Sequence, residues 1–313
     1  MTSRQDKAPG PDGRAGIDAE LVARLVAAQF PQWAGLPVRP VAVDGWDNRT
    51  YRLGADMTVR LPTAAGYVPA VEKENTWLPR LAPHLPVPVP PVLGLGEPGE
   101  GYPYPWSVRG WLDGGTATTP ERVGGPAELA AFARDVARFV RALRSVDPAG
   151  GPAAGAHSFL RGTPPAAYDA ETRAALTALD GLGVVDTAAA ADVWDAALAA
   201  PYEGPPVWFH GDIAGGNLLV RDGRLAAVLD FGTSGVGDPA CDLVIAWTLF
   251  SGESRAAFRA EVAADPAMWA RARGWALWKA LISVVGFLER DPSLAAEHAR
   301  VAGEVVADLA PRT

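Results

Sequence analysis

The sequence predicts an α+β fold in two lobes, a small antiparallel sheet followed by a larger, mainly helical part. Short apolar or alternating runs at 38–43, 49–53 and 57–61 are separated only by DGWDN and GAD, connections too short for anything but neighbouring strands that fold back on one another. From Pro126 the character changes: the chain becomes Ala-rich, and Leu129, Phe132, Val136, Phe139, Val140 and Leu143 keep one apolar stripe at helical spacing. A length of 313 residues exceeds the usual single domain and suffices for two cores.

The elements follow in order. Residues 1–16, rich in Pro, Gly and charge, read as a disordered extension. Leu21, Leu25, Val26 and Phe30 fall at helical spacing after Asp18 and give a short amphipathic helix. Pro40 cannot donate to a ladder, so the first run suits an edge strand. Residues 45–48 form either an ordinary hairpin turn or a loop that covers a ligand, with a single glycine to support the second reading. Residues 86–91 hold four prolines and make an extended segment outside any sheet centre. In the helical part, Arg134, Asp135, Arg138 and Arg141 lie mostly opposite the apolar stripe, 148–166 is a Pro/Gly-rich loop, and helices cover 167–180 and 187–200. Further helices are predicted at 239–250, 255–263 and 269–288, then a terminal one from Ser293. Trp269, Trp275 and Trp278 read as a core face of the third, with a ligand cage as the alternative.

Between the helices lies VWFHGDIAGGNLLVRDGRLAAVLDFG, residues 207–232. Residues 207–209 make a short buried strand, and 210–216 a polar, Gly-rich loop leaving it. Residues 217–220 and 225–229 are apolar strands around Asp222-Gly223, the dipeptide preferred in a two-residue type I′ turn. That turn pairs Arg221 with Arg224 and sets Asn217 opposite Val228. Asp230, two residues on, then shares a face with Asn217 at the open end of the hairpin. One carboxylate and one amide make an oxygen-only pair suited to Mg²⁺.

Composition narrows the class. One cysteine excludes an internal disulfide and, with four scattered histidines, a Cys/His zinc site. No apolar stretch reaches spanning length and the polar start lacks the core of a signal peptide, so the expectation is a cytoplasmic protein with no membrane partner. A net charge of −8 argues against nucleic acid and favours a cationic small-molecule substrate.

The pattern H-G-D-x-x-x-x-N followed by D-F-G resembles the aminoglycoside phosphotransferase family, small-molecule kinases of protein-kinase-like fold, over about residues 36–250. The resemblance implies an N-lobe over 17–107 and a C-lobe over 108–313. It implies ATP or GTP as co-substrate and transfer of its γ-phosphoryl group to an alcohol. Carried over residue by residue, Asp212 is the catalytic base, His210 braces its loop, and Asn217 and Asp230 hold Mg²⁺. The cation on the third strand is Arg60 where the family pattern has Lys, and Glu74 in VEKENTWLPRLAPHLPVP is its partner. A surface helix of mixed charge, with Glu72 and Lys73, is the plain alternative for that segment. Asn48 stands at the nucleotide-covering loop, and main-chain groups from Ser107 and Val108 to Trp111 would face adenine, with Asp113-Gly114 turning the chain into the second lobe.

After D-F-G the connection 233–237 is too short for the platform on which a protein substrate would lie. Asp238 before Pro239 reads as an N-cap, Asp242 on the following turns either packs or faces the 210–216 loop, and Cys241 reads as a small buried residue. The implied acceptor is an aminoglycoside or related cationic antibiotic. Macrolides, peptide antibiotics and a metabolic acceptor such as choline or homoserine share every catalytic residue. A non-catalytic nucleotide-binding module is expected to lack Asp212, Asn217 or Asp230, and all three are present.

Overall fold

The computed structural model describes residues 16–309 apart from Val43 and Trp46. The extension read at 1–16 lies outside the described residues except for Gly16, and so do the end of the first predicted strand and the centre of the 45–48 loop. The chain divides into two compact units: residues to Pro83 with Pro88–Asp113, and His84–Val87 with the chain from Gly114 onward.

In the first unit, α1 (Ala19–Gln29) starts at Asp18, whose carboxylate accepts from Leu21 N at 2.8 Å. The helix buries Leu21, Val22, Leu25 and Val26, in one cluster with Tyr51, Leu53, Val59, Trp106 and Val108 of the sheet. That sheet contains β1 (Val38–Pro40), β2 (Asn48–Leu53), β3 (Met57–Pro62), β4 (Val92–Gly96) and β5 (Trp106–Gly110), in the order β1-β2-β3-β5-β4 and antiparallel throughout. Pro40 is on the edge strand, where its missing N–H breaks no ladder. Helix α2 (Val68–Leu81) carries Glu74.

The second unit is mainly helical. Helices α3 (Pro120–Val123) and α4 (Pro126–Arg144) open it, and the predicted stripe of α4 is fully buried from Phe132 to Leu143. Then follow α5 (Asp169–Leu179), α6 (Thr187–Leu198), α7 (Ile245–Thr248), α8 (Gly252–Val262), α9 (Pro266–Phe287) and α10 (Pro292–Ala307). Helix α9 packs against α5, α6 and α10, which is why it is apolar nearly all round. The predicted helix 239–250 is instead a 3-10 turn, Pro239–Leu243, followed by α7. Among the described residues no helix is long and apolar enough to cross a membrane.

Strands β7 (Val207–Phe209) and β10 (Gly235–Gly237) pair antiparallel, and β8 (Leu218–Arg221) and β9 (Arg224–Val228) form the predicted hairpin with β6 (Gly115–Thr116) beside it. Asp222 and Gly223 have φ of 51° and 70°, as a type I′ turn requires, and Arg221 pairs with Arg224. The expected register does not persist. Val220 pairs with Leu225 but Leu219 with Ala227, so Ala226 is an extra residue and Val228 faces Leu218, not Asn217.

Asp238 caps the 3-10 turn, accepting from Ala240 N at 3.1 Å, and also receives Arg271 from α9 through Nε at 2.7 Å and Nη2 at 3.3 Å. Both side chains are 3% exposed. Arg271 Nη1 donates to the carbonyls of Ala200 and Pro201 at 3.2 Å. Arg271→Ala therefore leaves a buried carboxylate without its countercharge and is expected to destabilise this unit by about 3–5 kcal/mol. Urea unfolding measures it, and an unchanged midpoint would contradict the assignment of this pair as a fixed point of the fold.

Candidate functional site

The 210–216 loop leaves β7 and is fixed at its root by one carboxylate. Asp242, on the 3-10 turn, is fully buried and accepts from His210 N at 2.9 Å and from Gly211 N at 2.7 Å. Burial pushes its carboxyl above the ordinary range, against the pull of His210, these two N–H groups and Arg144. Gly211 has φ of 84°, and a Cβ there would lie 2.9 Å from Thr233 O, so only glycine fits between His210 and Asp212. The hydroxyl of Thr233 donates to His210 O at 2.9 Å, joining the loop to the segment after Asp230.

His210 is buried and both ring nitrogens are engaged. Asp212 N donates to Nδ1 at 3.2 Å, which leaves the proton on Nε2, donated to Leu229 O at 3.0 Å. Phe231 packs against the ring edge at 4.6 Å. The geometry of His210 is that of the brace expected from the sequence, a positioning residue that ties the Asp212 loop to the residue before Asp230.

Asn217 closes a 3-10 turn, Gly215–Asn217, rather than opening a strand. Its Nδ2 donates to Asp212 O at 2.9 Å and to Asp212 Oδ2 at 3.0 Å, and its carbonyl accepts from Leu229 N at 2.8 Å. Asp230 lies beyond β9 with φ of 60°, and its Oδ1 accepts from Gly232 N at 3.2 Å. The expected route by strand alternation is thus replaced. The bulge and a left-handed Asp230 break the alternation, and the Leu229–Asn217 hydrogen bond links the two residues instead. With the Asn217 amide nitrogen committed to Asp212, its Oδ1 is the atom left for a cation, and an amide oxygen and the Asp230 carboxylate are donors whose chemistry fits Mg²⁺. Among the described residues no group of three or more His, Cys, Asp or Glu could hold a metal.

In the first unit, Arg60 on β3 donates from Nη1 to Glu74 Oε2 at 3.0 Å and Oε1 at 3.4 Å. Glu74 is 4% exposed and Glu72 is exposed, so α2 is not the plain surface helix of the alternative reading; Lys73 is buried as well. No motif singles out Arg109. It is fully buried on β5 and donates to Asn75 Oδ1 at 2.7 Å, Ser107 Oγ at 3.1 Å and Glu74 Oε2 at 3.4 Å. Burial holds its guanidinium down to about 10, with Glu74 raising it and Arg60 lowering it. One carboxylate therefore serves two guanidiniums. Asn48 opens β2 opposite Pro62 and is buried, with no hydrogen bond to its Oδ1 among the described residues.

Ser107 and Val108 lie inside β5, which is flanked by β3 and β4, so their main-chain groups belong to the sheet ladders. This corrects the expectation that they face adenine. Trp111 N donates to Asp56 O at 2.7 Å, and the main chain from Leu112 onward is the first outside the sheet.

Beside Asp212 in the second unit is a cavity of about 250 Å³. Its wall includes Arg161, Ile213, Val244, Trp275, Trp278 and Lys279, from loops and helices with no motif by which sequence reasoning could register them. Trp275 and Trp278 are thus core on one side and cavity wall on the other. A separate cavity of about 540 Å³ against α8 and α9 holds none of the predicted site residues.

The sequence matches the model of the phosphotransferase enzyme family over residues 38–275. Among curated proteins none matches. Solved structures similar to the chain include the GDP and kanamycin complex of APH(2")-IIia, with TM-score 0.69 and 17% identity over 92% of this chain and 99% of that one. They include ADP-bound aminoglycoside phosphotransferase APH(2'')-Ib, with TM-score 0.60 and 17% identity over 93% and 99%. Macrolide 2'-phosphotransferase MphH from Brachybacterium faecium matches with TM-score 0.59 and 23% identity over 94% and 99%. The fold is the kinase-like one that the motif implied, a small antiparallel-sheet lobe and a mainly helical lobe.

Asp242→Asn tests the root of the loop. An amide can accept from only one of the two N–H groups and sets its own NH₂ against the other. The expected loss is about 1–3 kcal/mol in unfolding free energy, with faster hydrogen exchange at the His210 and Gly211 amides. Wild-type protection at both amides would show that the loop is held by something else.

Proposed function

The chain belongs to the phosphotransferase enzyme family, and on that premise we propose that it moves the γ-phosphoryl group of ATP or GTP to a hydroxyl of a small molecule of the antibiotic class. The observation that carries this reading is the Asn217 side chain. Its amide nitrogen bonds the Asp212 carbonyl and carboxylate, which turns the amide oxygen away and ties the proposed base to the proposed metal site. Neighbours named for GDP, ADP, aminoglycosides and macrolides support the nucleotide and the acceptor class.

Asp212 is exposed beside the cavity and receives the acceptor hydroxyl. As the acceptor oxygen bonds to the γ-phosphorus, the bond from that phosphorus to its bridging oxygen breaks, the electron pair leaves with the nucleoside diphosphate, and the hydroxyl proton passes to the Asp212 carboxylate. His210 keeps the loop in register with Leu229, so Asp212 stays aimed while charge moves. Asn217 Oδ1 and Asp230 would hold Mg²⁺, which would supply charge neutralisation at the phosphates. Arg60 grips the phosphates, and Glu74, backed by Arg109 and Asn75, sets its direction. A nucleotide-dependent enzyme of this kind works in the cytoplasm, where nucleoside triphosphates are abundant. A metabolic kinase acting on a small amino alcohol is the second reading, supported by the same base and metal ligands.

Asp212→Asn is expected to keep Mg-nucleotide binding and to lose roughly 10²–10⁴-fold in turnover, the scale of a positioned base. Rates within threefold of wild type on an accepted substrate would remove Asp212 from that role.

The metal ligands are expected to differ in weight. Asp230→Ala removes a full charge facing the cation and Asn217→Ala only a dipole, so Asp230→Ala weakens Mg²⁺-dependent nucleotide binding more. Calorimetry with a non-hydrolysable nucleotide, with and without Mg²⁺, reads the order; wild-type binding in both variants would refute the ligand assignment.

A further inference from the structure

The cavity beside Asp212 has a distribution of charge that the whole-chain balance of −8 does not reveal. Among the ionisable side chains in its wall are the cations Arg161 and Lys279 and the carboxylates Asp212 and Glu297. Burial keeps His298 below its ordinary pKa, so it adds no charge at neutral pH. Other carboxylates of the surrounding elements are already engaged. Asp238 is paired with Arg271, Asp242 holds two main-chain N–H groups, and Glu171 accepts from Trp278 Nε1 at 2.7 Å. With Asp212 reserved for the acceptor hydroxyl, Glu297 is the one wall carboxylate available to a positive group.

The rest of the wall is apolar and stiff. Trp278 stacks on Tyr168 at 3.9 Å between ring centroids, and Trp275 packs edge-on against both rings at 5.6 and 5.8 Å. Because the Trp278 N–H is spent on Glu171, it offers the cavity ring surface rather than a donor. Ile213, Val244, Leu249 and Val301 continue that surface.

Arg161 is held in this wall at a conformational cost. The two residues before it, Phe159 and Leu160, have φ of 48° and 57°, a left-handed pair that side chains with a Cβ seldom adopt. Ser158, fully buried, pins the segment: its hydroxyl lies 3.0 Å from Gly155 O and 2.8 Å from Arg161 O, and accepts from Gly155 N at 3.1 Å. The guanidinium lies 5.4 Å from the Trp278 ring centroid and donates to Phe159 O at 3.2 Å. Among the described residues it has no carboxylate partner within salt-bridge distance. Strain of this kind persists where the surroundings over-determine it, and here the result is a fixed, uncompensated cation in an apolar wall next to the proposed base.

We infer that Arg161 sets acceptor specificity, and that the cavity takes an alcohol with a largely apolar body and at most one positive charge, rejecting polycations. The inference rests on the phosphotransferase reading above and replaces the cationic acceptor expected from net charge. A volume of about 250 Å³ lies below the roughly 300–1,000 Å³ of sites that enclose a whole drug-sized ligand, so the cavity receives the ring that bears the reacting hydroxyl. A polyamine would set like charges against Arg161 and Lys279, an arrangement that discriminates between partners by repulsion.

The test uses the full chain with Mg²⁺ and nucleotide, and compares erythromycin, a macrolactone with a single amine, with the polyamine kanamycin. Wild type is expected to favour erythromycin in kcat/KM by at least about tenfold, and Arg161→Glu to move that ratio toward kanamycin by about tenfold or more. Lys279→Glu, on an exposed position, should shift it the same way if the Arg161 variant fails to fold. A loss of rate that is equal for both acceptors would mark Arg161 as structural and overturn the specificity role. Preference of the wild type for kanamycin would overturn the acceptor class and leave the phosphotransferase reading intact. If neither compound is phosphorylated, that reading fails for both, and calorimetry on Asp212→Asn without nucleotide still decides the cavity's class. Tighter binding of erythromycin supports it; tighter binding of kanamycin, or binding of neither, refutes it.

Discussion

A single buried carboxylate, that of Asp242, fixes the position of everything else in the second unit's site. Two consecutive N–H groups of an irregular loop point inward at His210 and Gly211, where no strand or helix can satisfy them, and an acceptor with two oxygens is the smallest group that meets both. Once these are held, the backbone must turn through a left-handed Gly211, because Thr233 crowds the place of any Cβ. The turn brings Asp212 N onto His210 Nδ1, which settles the imidazole tautomer and sends its Nε2 proton to Leu229 O. Leu229 in turn donates to Asn217 O, and Asn217 returns to Asp212 through its amide. The circuit closes on itself, so the proposed base and both proposed metal ligands share one origin.

The first unit uses the opposite device. There one carboxylate, Glu74, is shared by Arg60 and the fully buried Arg109. Arg109 has Asn75 and Ser107 as further acceptors and stays in place; Arg60 is the more exposed of the two, at 17% against 1%. A guanidinium held in place by a buried carboxylate and left semi-exposed is suited to polyanionic phosphate.

Much of this was legible in the sequence where the physics is local. Asp222-Gly223 specified its turn because both positions need positive φ; Asp238-Pro239 specified a cap; Pro40 marked an edge. Arg60 and Glu74 came from resemblance and do meet. What the sequence withheld is what depends on distant chain. Strand alternation assumes an unbroken ladder, and one extra residue, Ala226, defeats it. The assignment of Ser107 and Val108 to a free segment failed because nothing local says that β5 runs on to Gly110. Asp242 was left between two roles, since its partners are about thirty residues away in sequence. Arg109 and Arg161 carry no motif at all: one is defined by burial against α2, the other by a strained loop beside a cavity.

On the proposed function, the circuit rooted at Asp242 presents Asn217 Oδ1 and Asp230 together as a two-oxygen cation site next to Asp212. A crystal structure with Mg²⁺ and a non-hydrolysable nucleoside triphosphate tests it most directly. The expected result is a metal with both of these oxygens in its coordination shell, at about 2.0–2.1 Å, and phosphate oxygens completing it. A metal coordinated by phosphate and water alone, or by one of the two residues without the other, would contradict it.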